Sequence, residues 1–311
     1  MPIALLLTAL PEPAPKPDPK PDPKPDPGPE PGPELEDTAT LAGAALRTLD
    51  WQVVQSPIDS LELNRGGVSV TAPAGRFRAA DADLIWVLGF GRAATFLDKM
   101  QLLGALNVPF VNRIDALLLL HAKYPTGLNA VDFPQPETHA ANRAEALIAV
   151  AEAGGGRWVL KPPAGSFGRG VVIADAGSAE LARAARILTD GGRYAVLQRW
   201  RPEVEDGEYR VLVAGGRIIG TYRRIGAPTQ PAANLARGGH AVVAEPDPER
   251  DALALRAAAA LVRAGIRFAG LDITGSLILE ANVINPGGLA TLAALGDAHA
   301  AERAVSALVA D

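Results

Sequence analysis

From Pro15 to Glu34 proline stands at every second position, in the run PKPDPKPDPKPDPGPEPGPE, with lysine, an acid or glycine between. Proline fixes φ and removes the backbone donor, so this run can form neither a helix nor a central strand. It has no apolar face to bury. The composition predicts a stiff, solvated polyproline-II spacer rising about 3.1 Å per residue. Only fourteen residues precede it, beginning MPIALLLTAL. That opening lacks a basic n-region and an A-x-A cleavage site. It is also shorter than the roughly 20 apolar residues of a membrane span. It reads as a short strand, apolar on both faces as parallel strands are. The proline run is then a loop insertion, with the first strand on one side and the rest of its domain on the other.

The chain has 311 residues, 48% of them hydrophobic, enough for two or three compact units. A net charge of −5 gives no electrostatic reason to expect nucleic acid or an anionic membrane as partner. The absence of cysteine excludes disulfides, thiolate nucleophiles and cysteine metal sites, and suits a cytoplasmic protein. His121, His139, His240 and His299 show no zinc-ligand spacing.

After the proline run, EDTATLAGAALRTL has helical period, with Asp37 or Thr38 placed to cap its start. WQVVQSP reads as a strand, and LELNRGGVSVTA as two strands joined by a Gly-Gly turn. DLIWVLGFG is a strand entering a glycine turn, AATFLDKMQLLGAL a helix, VPFVN a strand and IDALLLLHAKY a helix. This order predicts an α/β domain with a mostly parallel sheet. From about residue 120 antiparallel pairs alternate with helices, which predicts an α+β region. The expected division is an N-terminal domain over 1–118 with the insertion at 11–34, a smaller unit over 119–195, and a last unit over 196–311.

Two glycine loops compete as anion sites. LGFGRAA, from Gly89 to Ala94, fits G-x-G-x-x-A between a strand and a helix. It reads as a dinucleotide turn, as a plain tight turn, or as backbone N–H groups which, with Arg92, bind an anionic substrate group. The last reading is favoured over the dinucleotide one, whose ribose-binding acid is matched only loosely, by Asp115. The second loop, KPPAGSFGRGV, lies between two strands and is neither a Walker loop nor a G-x-S-x-G elbow. Its glycines leave backbone N–H groups free to approach phosphate oxygens, and Lys161 at the end of the feeding strand supplies a point charge.

In GLDITGSLILEANVIN, a turn at Thr274–Ser276 brings Asp272 opposite Glu280, and Glu280 and Asn282 share a strand face. Two carboxylates and an amide oxygen, without histidine or cysteine, form the hard-oxygen set that Mg²⁺ prefers.

The series VLKP with its glycine loop, VLQRWRPEVEDGEYRVLV, NLARGG and GLDI…LEANV resembles the ATP-grasp ligases, and most closely the bacterial glutathione synthetases. The resemblance runs from about residue 107 to the end and continues more weakly upstream, with MPIALLLTALPEP similar to the family's first strand. It implies an ATP-grasp fold, α/β and α+β, behind an N-terminal α/β domain. It also implies an ATP- and Mg²⁺- or Mn²⁺-dependent ligase joining a carboxylate to an amine through an acyl phosphate, on γ-glutamylcysteine and glycine.

The residue roles it implies are these. Lys123 and Lys161 take the nucleotide phosphates, and Gly165, Ser166, Phe167, Gly168 and Gly170 form the lid loop. Gln198 borders the adenine and Glu208 takes the ribose hydroxyls. Arg210 steadies the transferred phosphate, beside Lys161 and Asn282. Asn234, Gly238 and Gly239 lie with Arg92 on the substrate side. Asp272, Glu280 and Asn282 hold the metal.

Three departures fall where substrate would bind. Ala232 stands where the family has arginine, NVINPGGL replaces a Ser-Pro-Thr-type turn, and LGFGRAA replaces Arg-x-Asp-Pro-Pro. Arg223, Arg224 or Arg237 are the candidates to compensate. The alternatives are a RimK-type amino-acid ligase acting on a peptide or protein terminus, and a nucleotide-binding regulator without turnover. The partners expected are small-molecule acids and amines, with homo-oligomerisation left open.

Overall fold

The computed structural model describes residues 1–9, 34–123, 131–165, 170–226 and 239–310, and the side chains of 34–37 are outside the description. The proline run therefore lies outside the described residues. The N-terminal region comprises β1 (Ile3–Thr8), α1 (Glu34–Thr48), β2 (Gln52–Pro57), β3 (Glu62–Asn64), β4 (Gly67–Ala72), β5 (Gly75–Arg78), β6 (Leu84–Leu88), α2 (Phe96–Gly104), β7 (Phe110–Val111) and α3 (Ile114–Leu120). Strands β2-β1-β6-β7 form a parallel sheet. The apolar opening of the chain is one of its two inner strands, and Ala4 to Leu7 are fully buried. Side chains alternate across it. Ala4 and Leu6 join the core of the α1 alanines and Leu46, whereas Leu5 and Leu7 join that of Ile58, Val68 and Val70.

Two expectations change here. The helix starts at Glu34, so neither Asp37 nor Thr38 can be its N-cap. Proline is tolerated only in the first turn, and Glu34 is the first residue free of that restriction. The Gly-Gly hairpin forms, but a third strand, β5, extends it to an antiparallel sheet β3-β4-β5. The turn into β5 uses Gly75 at φ +113°, a conformation that favours glycine.

A second region holds β8 (Thr138–Ala141), α4 (Ala144–Gly154), β9 (Arg157–Lys161), β10 (Val172–Asp175), α5 (Ala179–Thr189) and β11 (Ala195–Arg199). Its sheet, in the order β10-β9-β11-β8, is antiparallel throughout. It has its own core of Leu147, Trp158, Leu160, Leu181 and Leu197 under α4 and α5. The third region holds β12 (Glu208–Ala214), β13 (Arg217–Ile225), β14 (His240–Val243), α6 (Pro248–Arg263), β15 (Phe268–Thr274), β16 (Leu277–Asn282), α7 (Leu289–Ala294) and α8 (Ala300–Val309). Its five antiparallel strands run β14-β13-β12-β15-β16. Val211 and Val213 of β12 belong to one core with Leu253 and Leu261 of α6, and Leu212 and Ala214 to another with Leu289 of α7 and Leu308 of α8.

The expected division at 118/119 falls inside α3, and that at 195/196 severs Ala195 from β11, which pairs with β8 and β9. We propose boundaries after α3 and after Arg199 instead. The first and third regions share both large cores, and Asn112 fastens them further. Its amide donates to Phe268 O at 2.7 Å and Val283 O at 2.6 Å, and accepts from Arg267 N at 2.6 Å and Phe268 N at 2.7 Å. Among the described residues no helix is long and apolar enough to cross a membrane.

Because β1 and α1 are complete on either side of the insertion, replacing Lys16–Glu30 by a few glycines should leave the thermal midpoint and catalytic rate nearly unchanged. Loop-closure entropy varies slowly with length. Unfolding of the shortened chain in a calorimetric scan would show that the segment belongs to the fold.

Candidate active site

Residues directly opposite in an antiparallel ladder share a face of the sheet. On the large sheet Glu208 stands opposite Arg224, Arg210 opposite Asp272, and Asp272 opposite Glu280. Asn282, two residues beyond Glu280, lies on the same face. One end of that face thus carries six polar side chains from four strands, beyond the apolar end packed under α7 and α8. Past Asp272 the register slips, leaving Leu279 as the extra residue of β16. A bulge of this kind re-aims neighbouring side chains and is common beside functional sites.

Asp272 is the hub. Its Oδ1 accepts from Arg210 Nε at 2.6 Å and lies 2.6 Å from Arg224 Nη2, while its Oδ2 accepts from Arg210 Nη2 and Asn282 Nδ2, both at 3.2 Å. Arg224 Nη2 also reaches Glu208 at 2.5 Å, and Arg210 donates to Pro286 O. Glu280 lies 3.2 Å from Lys123 Nζ and 3.7 Å from Lys161 Nζ. The two lysines meet because Lys123 N donates to Pro163 O, in the loop that follows β9, at 2.7 Å. Four cations thus converge on three carboxylates.

Burial pushes the Glu208 carboxyl up to about 7, against the pull of Arg224. Burial also opposes the charge on Glu280, but the Lys123 and Lys161 ammoniums outweigh it and hold that carboxyl well below the usual range. Burial likewise works against the Arg224 guanidinium, and the Asp272 and Glu208 carboxylates overcome it. Lys161 is pushed down by burial, with Glu280 opposing.

The structure therefore brings together Lys123, Lys161, Gln198, Glu208, Arg210, Asp272, Glu280 and Asn282, all expected from the sequence. Gly165 and Gly170 frame the loop after Lys161, Gly170 at φ +72°. Ser166, Phe167, Gly168, Asn234 and Gly238 lie outside the described residues, as do Ala232 and Arg237. Gly239 immediately precedes β14, and no described contact joins it to the cluster. Of the arginines that were candidates to compensate, Arg224 enters the site. Arg223, one residue earlier and on the other face, donates to Asp206 O beside Tyr209.

Arg92 requires a correction. The turn at Gly89–Arg92 does hold a carboxylate, but it is the chain's own Asp59. Arg92 N lies 3.1 Å from both Asp59 oxygens, and a Cβ on Gly91 would stand 2.5 Å from Oδ2. Lys99 Nζ closes the arrangement, donating to Asp59 Oδ1 at 2.6 Å, Phe90 O at 2.7 Å and Arg92 O at 3.1 Å. The N–H expected to receive a substrate anion is thus engaged, and the Arg92 side chain is exposed. The helix after the turn is also interrupted, since a 3₁₀ turn at Ala93–Thr95 separates it from α2. Asp59 and Lys99 were not legible as partners, because 40 residues separate them. Lys99→Met should cost about 1–3 kcal/mol by removing the buried ammonium that Asp59 and two backbone carbonyls share, read as a fall in the urea midpoint. An unchanged midpoint would make the pair incidental.

The donor chemistry fits a hard cation. Glu280 is held ionised, Asp272 faces it in register, and the Asn282 amide is fixed to Asp272. Among the described residues no three His, Cys, Asp or Glu side chains cluster as a metal site. Two carboxylates with an amide suit Mg²⁺, which keeps waters and takes phosphate oxygens for its other ligands.

Comparison with known proteins gives the family and the fold. Residues 127–297 match the profile of the prokaryotic glutathione synthetase ATP-grasp domain. The glutathione synthetase of Parasynechococcus marenigrum is 32% identical over 233 residues, 71% of this chain and 73% of that one. That of Synechococcus elongatus is 31% identical over 152 residues, and the chain spans about half the length of several such relatives, 47% in this case. Among solved structures, a RimK domain ATP-grasp protein from Sphaerobacter thermophilus superposes with a TM-score of 0.63 at 20% identity, over 99% of this chain and 100% of that one. A D-cycloserine synthetase gives 0.67 at 18% identity, over 97% and 99%. These two establish the fold alone, and it is the ATP-grasp fold. By the span of the profile match and the Parasynechococcus relative, this chain belongs to the prokaryotic glutathione synthetase family of ATP-grasp proteins.

Proposed function

We propose that the chain is an ATP-dependent carboxylate–amine ligase, and that its substrates are γ-glutamylcysteine and glycine. The observation that carries the first part is the convergence of Lys123, Lys161, Arg210 and Arg224 on only three carboxylates. A polyanion entering there replaces carboxylate partners with phosphate oxygens. The second part rests on the glutathione synthetase relatives.

On this reading Lys123 and Lys161 receive the α- and β-phosphates, and Glu208 the ribose hydroxyls. Arg210 and Arg224 face the transferred phosphoryl group. The acid's carboxylate attacks the γ-phosphorus, a new P–O bond forms and the β–γ bridge breaks, giving an acyl phosphate and ADP. The amine nitrogen then attacks the acyl carbon, the C–O bond to phosphate breaks, and inorganic phosphate leaves as the nitrogen loses its proton. The chain forms no covalent intermediate; it positions groups and neutralises developing charge. Glu280 and Asn282, with Asp272, would hold Mg²⁺ or Mn²⁺, whose contribution is to neutralise charge on the phosphate oxygens.

A screen of acid and amine pairs for phosphate release from Mg-ATP tests both parts. Release with γ-glutamylcysteine and glycine is expected. Release only with an amino acid and a peptide terminus would move the specificity to the RimK-type reaction. Nucleotide binding without release from any pair would leave a regulator.

A further inference from the structure

We infer that Gln198 and Thr138 act on the nucleotide through Lys161: they are positioning residues that fix where its ammonium stands, and Gln198 does not read the base. Both ends of the Gln198 amide are engaged. Its Oε1 accepts from Lys161 Nζ at 3.0 Å, while its Nε2 donates to Thr138 Oγ1 at 3.0 Å and approaches Leu279 O at 3.4 Å. Thr138 in turn donates its hydroxyl hydrogen to Pro136 O at 2.7 Å. The direction of each bond follows. The Pro136 carbonyl can only accept, so the Thr138 hydroxyl is spent as a donor and offers Gln198 an acceptor. The amide must then present its NH₂ to Thr138 and its oxygen to Lys161. A turned amide would set oxygen against the lone pairs of Thr138 and of Leu279 O, and NH₂ against an ammonium.

The chain of bonds crosses the small sheet from β8 through β11 to β9 and, besides the Lys161–Glu280 pair, touches the large sheet at one described point. That point is the carbonyl of Leu279, the extra residue of the β16 bulge. Beside it Ile278 N donates to Pro134 O at 2.8 Å. Lys161 is thereby keyed to the seam between the sheets. An amide oxygen is a needed partner there, because the lysine is buried and Glu280 stands at 3.7 Å. With Gln198 only 3% exposed and its amide saturated, it has no donor to spare for a base.

This inference rests on the proposal that Lys161 receives nucleotide phosphates. Thr138→Val keeps the shape of the side chain and removes the acceptor, and Thr138→Ser restores it. Calorimetric titration should show Thr138→Val weakening ADP and inorganic triphosphate by about fivefold, the scale of one hydrogen bond between neutral groups. Adenosine affinity should be unchanged, the KM for ATP should rise with kcat less affected, and Thr138→Ser should recover the wild-type values. Gln198→Leu should show the same selectivity with a larger loss. Equal losses for adenosine and ADP in a variant of unchanged thermal midpoint would make Gln198 a base reader and overturn the inference. So would ADP and triphosphate affinities that do not move. Wild-type protein that binds neither ADP nor triphosphate would overturn the nucleotide proposal, and this inference with it. Should Thr138→Val fail to fold, Gln198→Glu serves in its place. It strengthens the acceptor on Lys161 while losing the donor to Thr138, and must still spare adenosine.

Discussion

Glu280→Gln is expected to lower kcat/KM by at least about tenfold, the usual scale for a perturbed metal-ligand shell. The substitution keeps the shape of the side chain and removes one charge from a place where two ammoniums, 3.2 and 3.7 Å away, depend on it. It acts twice, by halving the carboxylates available to a hard cation and by loosening the two lysines proposed to meet the phosphates. Binding of Mn²⁺ in the presence of ADP, followed by paramagnetic resonance, separates the two effects. Weaker Mn²⁺ binding is expected. Wild-type Mn²⁺ affinity with reduced turnover would reassign Glu280 to holding lysines. Near-normal activity at saturating Mg²⁺ would remove it from the ligand set.

The partner exchange at Glu280 has a counterpart at Asp272. In the structure each candidate metal ligand with a charge is neutralised by side chains that the proposed reaction directs at phosphate. The sheet holds these cations in place by hydrogen bonds and ion pairs rather than leaving long side chains to search. Such preorganisation lowers the cost of stabilising charge as it develops. Among the described residues the same economy is seen at the Gly89–Arg92 turn. There the carboxylate is permanent, supplied by Asp59, and Lys99 has all its described donors committed.

The parts of this site that were readable from the sequence are those set by local rules. Strand period places Glu280 with Asn282 and Glu208 with Arg210, and a hairpin turn places Asp272 opposite Glu280. The first strand was readable because a short run apolar at every position suits only a strand buried on both faces. What escaped depends on contacts between distant segments. Arg223 and Arg224 are equivalent in composition, and only the register of β13 against β12 decides that Arg224 turns inward. Thr138 belongs to a strand too short to show alternation, and its role appears only beside Gln198, 60 residues on. Asn112 closed an apparently ordinary strand, yet its partners lie more than 150 residues away. The glycine turn was expected to bind a substrate anion, and no local signal says that the chain's own Asp59 takes that place.

Asp272→Asn is expected to destabilise the protein by about 3–5 kcal/mol, the cost of breaking a buried ion pair from one side. Asp272 is 4% exposed and takes hydrogen bonds or ion pairs from Arg210, Arg224 and Asn282. Its replacement leaves four cations facing two carboxylates and turns an amide NH₂ toward guanidinium donors. Arg224 keeps Glu208, but Arg210 loses its described carboxylate partner and keeps carbonyl acceptors such as Pro286 O. At roughly 2–4 °C per kcal/mol for a domain of this size, the thermal midpoint should fall by about 6–20 °C. Removing both charges is a different matter. The double variant Asp272→Leu with Arg210→Met takes away an ion pair that had to be desolvated, and such replacements are often neutral for stability. It should recover at least about half of the loss, and a double-mutant cycle should give a coupling of about 1 kcal/mol or more. Turnover should not return with stability, because Arg210 is proposed to face the transferred phosphoryl group. A double variant as unstable as Asp272→Asn would show that Arg224, rather than Arg210, is the cation for which Asp272 is needed. A stable single variant would show that water reaches the cluster and screens it.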